Sequence, residues 1–247
     1  VYDLRPYLKC DHIDNELERP PRGTKIGMCI RFRGSHHLIP PFIAYHRLIG
    51  VEHFWFYVNE EFDIGDLPVA PYLTYVPYRF VWEEHKNYSR QMGEDGIERP
   101  WDLQYKGDNF WQVEAMQQCL YRSKRYGLEW LMTNDIDEYL WLNETEFMGV
   151  NKSAGNNSIL QQFLSKYEQY PKLGGLAVEG WSFGASSAET GKILELPIDY
   201  IHRANAVTGG RRKIIYRVPI ATRISVHWLY GGGRLKELPI SEIRWNH

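Results

Sequence analysis

Residues 129 to 142 read Glu129-Trp130-Leu131-Met132-Thr133-Asn134-Asp135-Ile136-Asp137-Glu138-Tyr139-Leu140-Trp141-Leu142. Trp130 to Met132 is apolar and Tyr139 to Leu142 is apolar again, so an acidic cluster interrupts a stretch that propensity would continue through the core. Residues 129 to 133 predict a buried strand, and the cluster sits where that strand ends. Carboxylates at Asp135 and Asp137, one residue apart on the turn leaving a strand, can both point away from the core and share a hard divalent cation. Asp-x-Asp alone is a common pattern, and Asn and Asp also form turns unaided. The flanking apolar runs give this one its weight.

Upstream, Lys25 to Phe32 (KIGMCIRF) reads as a buried strand. Leu38 to Ile49 has helical spacing, with Leu38, Phe42, Tyr45 and Leu48/Ile49 on one side and Gly50 as the C-terminal cap. His53 to Val58 (HFWFYV) is the next strand, and strand-helix-strand in so short a span is a βαβ unit with a parallel sheet. Leu73 to Val81 predicts a further strand, and residues 83 to 107 a long surface loop. Asn109 to Arg125 predicts a helix through Phe110, Val113, Met116, Leu120 and Tyr121, ending near Gly127. Downstream, Ile159 to Tyr170 reads as a helix and Gly175 to Val178 as a strand. Lys192 to Pro197, Lys213 to Val218 and Arg223 to Trp228 are strand-like. Residues 1 to 24, with Pro6, Pro20, Pro21 and Gly23, form an irregular lead-in, and 25 to 247 one α/β domain. Its mixed, mainly parallel sheet, flanked by helices, would carry a nucleotide at its C-terminal edge and an acceptor over the later segments. There are no internal repeats.

The 247 residues are 43 % hydrophobic and 24 % charged, an ordinary globular balance. The aromatic share of 15 % suits sugar-ring faces, but the same residues fill cores. A net charge of -2 gives no general drive toward nucleic acid or anionic lipid. Arg211-Arg212-Lys213 and Arg122-Ser123-Lys124-Arg125 read as solvated faces. Cys10, Cys29 and Cys119 show no zinc spacing and allow at most one internal bridge. Asn87, Asn143, Asn151 and Asn156 begin glycosylation sequons, compatible with the secretory lumen of a eukaryote. No run reaches the roughly 18 apolar residues of a membrane span, so the expectation is a soluble domain cut from something longer, with any membrane anchor outside it.

A diphosphate leaving group calls for the cation that Asp135 and Asp137 could hold. Glycosyl transfer from a nucleotide sugar builds negative charge on the nucleoside diphosphate, and Mn²⁺ or Mg²⁺ across both phosphates lowers that barrier. A nitrogen ligand is expected later in the chain. His227, in Ser225-Val226-His227-Trp228 on a predicted strand, is preferred, and His247 in Trp245-Asn246-His247 competes with it. The nucleotide is expected at the ends of the first two strands, near Arg31, Phe32, Arg33 and Asn59.

Several segments, in order, resemble glycosyltransferase family ninety-two. They are Cys29-Ile30-Arg31, the run Ala44 to Phe54, the helix positions Gln112, Ala115, Cys119 and Leu120, the stretch Trp130 to Leu140, Trp181-Ser182-Phe183-Gly184, and Lys213 followed by His227. Together they cover most of the chain from about Gly27. Where the family carries an Asn-Glu pair and then a Glu-Trp pair, this chain has Gly34-Ser35 and Pro41-Phe42. The resemblance implies a GT-A nucleotide-sugar-binding fold and inverting transfer of a galactose-like sugar from a uridine-diphosphate donor to a glycan acceptor. It also implies a Golgi setting for eukaryotic members. On this reading Gln112, Asp135 and Lys213 belong to the donor site, and Trp181, Phe183 and Gly184 to the acceptor site. Inversion needs a carboxylate base near the acceptor hydroxyl, for which Glu179 and Asp199 are the candidates.

Two other classes compete. A haloacid-dehalogenase-type phosphatase also places Asp-x-Asp after a strand, but wants Thr or Val next, where this chain has Glu138-Tyr139. A glycan- or nucleotide-sugar-binding module without turnover is the second, with Gly34-Ser35 and Pro41-Phe42 as its marks.

Overall fold

The computed structural model describes residues 20–32, 36–58, 67–77, 108–143, 158–184, 202–203 and 212–247, without the side chains of residues 32, 108–111, 184 and 202–203. Cys10, Arg33, Gly34-Ser35, Asn59, Asp199, the loop 83–107, the strand expected over 192–197 and the sequons at Asn87, Asn151 and Asn156 lie outside the described residues.

Strand β1 (Ile26–Phe32) shows why its sequence is apolar without a break. Ile26, Met28 and Ile30 enter one hydrophobic layer and Cys29 the other, the period of a strand buried on both faces. A short 3-10 turn, His36–Leu38, leads into helix α1 (Ile39–Ile49), which carries proline in its first turn, where a missing N–H costs no helical bond. Ile39, Phe42, Ile43 and His46 form its buried stripe. Leu48, expected on that stripe, is 81 % exposed instead. Gly50 ends the helix in the left-handed region at φ 117°, its N–H bonded to the carbonyls of His46 and Arg47. Strands β2 (His53–Val58) and β3 (Leu73–Pro77) follow, each parallel to its predecessor, as the βαβ reading required.

Helix α2 (Asp108–Arg125) lies on the opposite face, with Ala115, Met116, Cys119 and Leu120 in the second hydrophobic layer. A disulfide between Cys29 and Cys119, both buried, ties it to β1. Strand β4 (Trp130–Asn134) pairs parallel with β1, and β5 (Tyr139–Leu142) resumes after the acidic turn. Helix α3 (Ile159–Ser165) starts at a capping box in which Ser158 and Gln161 satisfy each other's backbone N–H groups. It is shorter than the expected helix to Tyr170. Beyond Ser165 the bonds tighten to i→i+3, as at Tyr167 N–H to Leu164.

The later strands are β6 (Leu173–Val178), β7 (Gly180–Trp181), β8 (Phe183–Gly184), β9 (His202–Arg203), β10 (Lys213–Arg217), β11 (Arg223–Ile224), β12 (Leu229–Gly231), β13 (Arg234–Glu237) and β14 (Ile243–Asn246). The main sheet has seven strands in the order β13-β6-β10-β4-β1-β2-β3. Every neighbouring pair is parallel except the two made by β10. Helices α1 and α3 cover one face and α2 the other, so the protein is an α/β fold with a mixed, mainly parallel sheet. A three-stranded sheet, β5-β14-β7, adds Leu140, Leu142, Ile243 and Trp245 to the α1/α3 layer. Residues 223 to 228, expected as one strand, are β11 followed by a turn in which Ser225 N–H bonds the Trp228 carbonyl. The Tyr216 hydroxyl donates to the Ser225 carbonyl and holds that turn down. No helix among the described residues is long and apolar enough to cross a membrane.

Candidate functional site

A parallel strand delivers its C-terminal end to one edge of the sheet, and β4 delivers Asn134-Asp135 there. Pairing of Ile30 with Asn134 brings Arg31, at the end of β1, to the same edge. The neighbouring β10 runs the other way, so its first residue, Lys213, arrives two positions beyond the Ile215–Met132 pair, against the acidic turn. Strand β14 lies between β5 and β7, pairing Asn246 with both Tyr139 and Trp181. His247 is thereby carried to the start of β5, where Asp137 waits. Its backbone is fixed on both sides: its N–H donates to the Trp181 carbonyl at 2.9 Å and its carbonyl accepts from Phe183 N–H at 2.6 Å.

Asp135 has both carboxylate oxygens engaged. Gln112 Nε2 donates to Oδ1 at 3.2 Å and Lys213 Nζ to Oδ2 at 2.8 Å. Lys213 also meets Glu138 Oε2 at 2.9 Å. That same oxygen accepts from Asp135 N–H at 3.0 Å and Asn134 Nδ2 at 3.3 Å. Three donors thus converge on one atom, and Glu138 N–H closes the turn on the Asp135 carbonyl. Lys213 and Glu138 are buried, whereas Asp135 and Asp137 are each 42 % exposed at the side chain. Burial opposes the charge on Lys213, but Glu138 and Asp135 outweigh it and hold the ammonium above its ordinary range. Burial pushes the Glu138 carboxyl up, against the pull of Lys213.

Asp137 Oδ2 lies 3.3 Å from His247 Nε2. This hydrogen bond lowers the Asp137 carboxyl below its usual range and raises the His247 imidazole. Two ligands at right angles, each about 2.1 Å from a metal, stand about 3 Å apart, so this oxygen and nitrogen already have the spacing of adjacent ligands. Among the described residues no three His, Cys, Asp or Glu side chains gather as a complete metal cage. A cation shared with phosphates needs only one or two protein ligands, and Asp137 offers the carboxylate oxygen that Mn²⁺ or Mg²⁺ takes, while the His247 nitrogen is a donor more usual for softer ions.

Of the two candidate histidines, His247 is therefore the one against Asp137. His227 sits in the β11–β12 turn rather than on a strand, its Nδ1 2.8 Å from the Arg212 carbonyl. Lys213, expected at the donor, has its ammonium enclosed by carboxylates. Gln112 reaches Asp135, and the Trp181–Phe183 backbone anchors His247. Glu179 is half-buried between β6 and β7, its carbonyl accepting from Trp245 N–H at 3.0 Å. Glu138 had no separate role in the sequence reading. Its place directly before the apolar Tyr139 was the available signal, since a strand entering the core draws the preceding side chain in with it. A comparison with models of known protein families finds no match, and neither does one with curated proteins.

Proposed function

We propose that the chain is a metal-dependent glycosyltransferase of the GT-A type, related to family ninety-two, that moves a galactose-like sugar from a uridine-diphosphate donor to a glycan acceptor with inversion. The observation that carries this reading is the pair of half-exposed carboxylates at the C-terminal end of β4, with His247 Nε2 3.3 Å from Asp137. The run β3-β2-β1-β4 supports it, being the order of the nucleotide-binding half of a doubly wound sheet, where ligands bind beyond the strand ends. When bound, Mn²⁺ or Mg²⁺ would neutralise charge developing on the diphosphate. Asp137 and His247 would hold it, and Gln112 and Lys213 would keep Asp135 oriented. The acceptor oxygen forms its bond to the anomeric carbon as the bond to diphosphate breaks, and its proton passes to a carboxylate, Glu179 or Asp199. The buried Cys29–Cys119 disulfide supports an oxidising compartment, in line with a Golgi-luminal domain of a membrane-anchored protein.

The test is a screen of nucleotide sugars for Mn²⁺-dependent hydrolysis or transfer, with Asp137→Ala beside the wild type. Turnover of a uridine-diphosphate sugar, abolished by chelator and reduced at least about 100-fold in Asp137→Ala, is the expected result. Full turnover in excess chelator would sink the reading. Metal-dependent nucleotide-sugar binding without turnover on any acceptor would favour the binding module instead.

A further inference from the structure

Three carboxylates, Asp135, Asp137 and Glu138, crowd into one tight turn closed by Glu138 N–H on the Asp135 carbonyl. Lys213 is what makes that tolerable. Its ammonium lies 2.8 Å from Asp135 and 2.9 Å from Glu138, at 2 % side-chain exposure. It comes from β10, which runs antiparallel to both its neighbours and so brings its first residue to this edge. A lysine so enclosed is poorly placed to reach a phosphate.

We propose that Lys213 is a positioning residue that occupies the place of a second cation. It cancels one carboxylate, so the turn presents two net negative charges, and it leaves Asp137 and His247 to take a single divalent ion. The inference rests on the metal-binding reading above. With Gln112 on the other oxygen, Lys213 also fixes the Asp135 carboxylate before any ligand arrives, so that carboxylate does not have to reorganise on binding.

If the lysine acts through charge, metal affinity must follow the net charge of the turn rather than the identity of either side chain. Mn²⁺ binding to the full chain, read as the loss of the free-ion electron paramagnetic resonance signal without nucleotide or turnover, compares four proteins with Asp137→Ala as the control. Glu138→Gln removes one negative charge, Lys213→Met adds one, and the double variant Glu138→Gln/Lys213→Met restores the wild-type sum. The decisive comparison is Glu138→Gln, expected weakest, against the double variant, expected to bind like the wild type and about tenfold or more tighter than Glu138→Gln. Lys213→Met strands a buried carboxylate and should melt lowest. If it does not fold, the comparison of Glu138→Gln with the double variant still decides. Equal Mn²⁺ affinity in those two would overturn the role of Lys213 while leaving the metal site standing. Absence of Mn²⁺ binding in the wild type, or binding undiminished in Asp137→Ala, would instead remove the metal reading and this inference with it.

Discussion

At the scale of single residues the acidic pair was readable because polar side chains there break an apolar stretch. The identity of their partners was not. His227 looked suitable only while residues 223 to 228 were taken as one strand, and the Tyr216 hydroxyl bends that segment into a turn. His247 acquires its place from β14, a pairing between segments far apart in sequence that no local pattern announces. The expected outcome is that His247→Ala raises the Mn²⁺ concentration for half-maximal binding by roughly 10- to 100-fold. His227→Ala should leave that concentration unchanged and lower the melting temperature, since its imidazole packs against the Arg212 carbonyl. Mn²⁺ titrations and melting curves on both variants check this.

Among the elements, the first βαβ unit was legible almost to its boundaries, because strand and helix periodicities agreed with a capping glycine. The end of α3 and the short β11 were not, since both are set by neighbours rather than by propensity. How α1 is joined to β5 was also hidden, and the joint is His46. Leu140 N–H donates to its Nε2 at 3.4 Å, so Nδ1 carries the proton and donates to the Phe42 carbonyl at 2.9 Å. Tyr139 stacks on the ring and the Tyr45 hydroxyl bonds the Leu140 carbonyl. Burial pushes the His46 pKa down to about 3, and that of His53, bonded to Thr74, down to about 4. Both values lie below the unfolded value of about 6.5, so between these limits the unfolded chain binds protons that the native state refuses. Their contribution to stability is fully present above pH 6.5 and is lost as the pH falls toward the folded values. Each histidine should cost about 1.4 kcal/mol per pH unit across that window. Denaturant titrations between pH 7 and pH 4 should show the decline, and a His46→Asn variant should show a shallower slope from a lower start.

For the molecule as a whole, the sequence allowed a parallel α/β sheet and at most one bridge, without saying which cysteines meet. Cys29 on β1 and Cys119 on α2, 90 positions apart in sequence, face each other only once α2 lies against the sheet. Closing so long a loop restricts the unfolded chain strongly, and the Cys29→Ala/Cys119→Ala double variant should lose about 4 kcal/mol in denaturant titrations. The order of the seven strands was equally out of reach. The placement of β10 between β6 and β4 depends on which strands pair, not on what any of them prefers alone. Because β14 supplies the last contact of the Asp137–His247 pair, a nascent chain leaving the ribosome can assemble β1 to β4 long before that pair can form. At about 5–20 residues per second the interval between synthesis of Asp137 and of His247 lasts roughly 5 to 22 seconds, and for most of it Lys213, which balances the acidic turn in the folded chain, has not been made either.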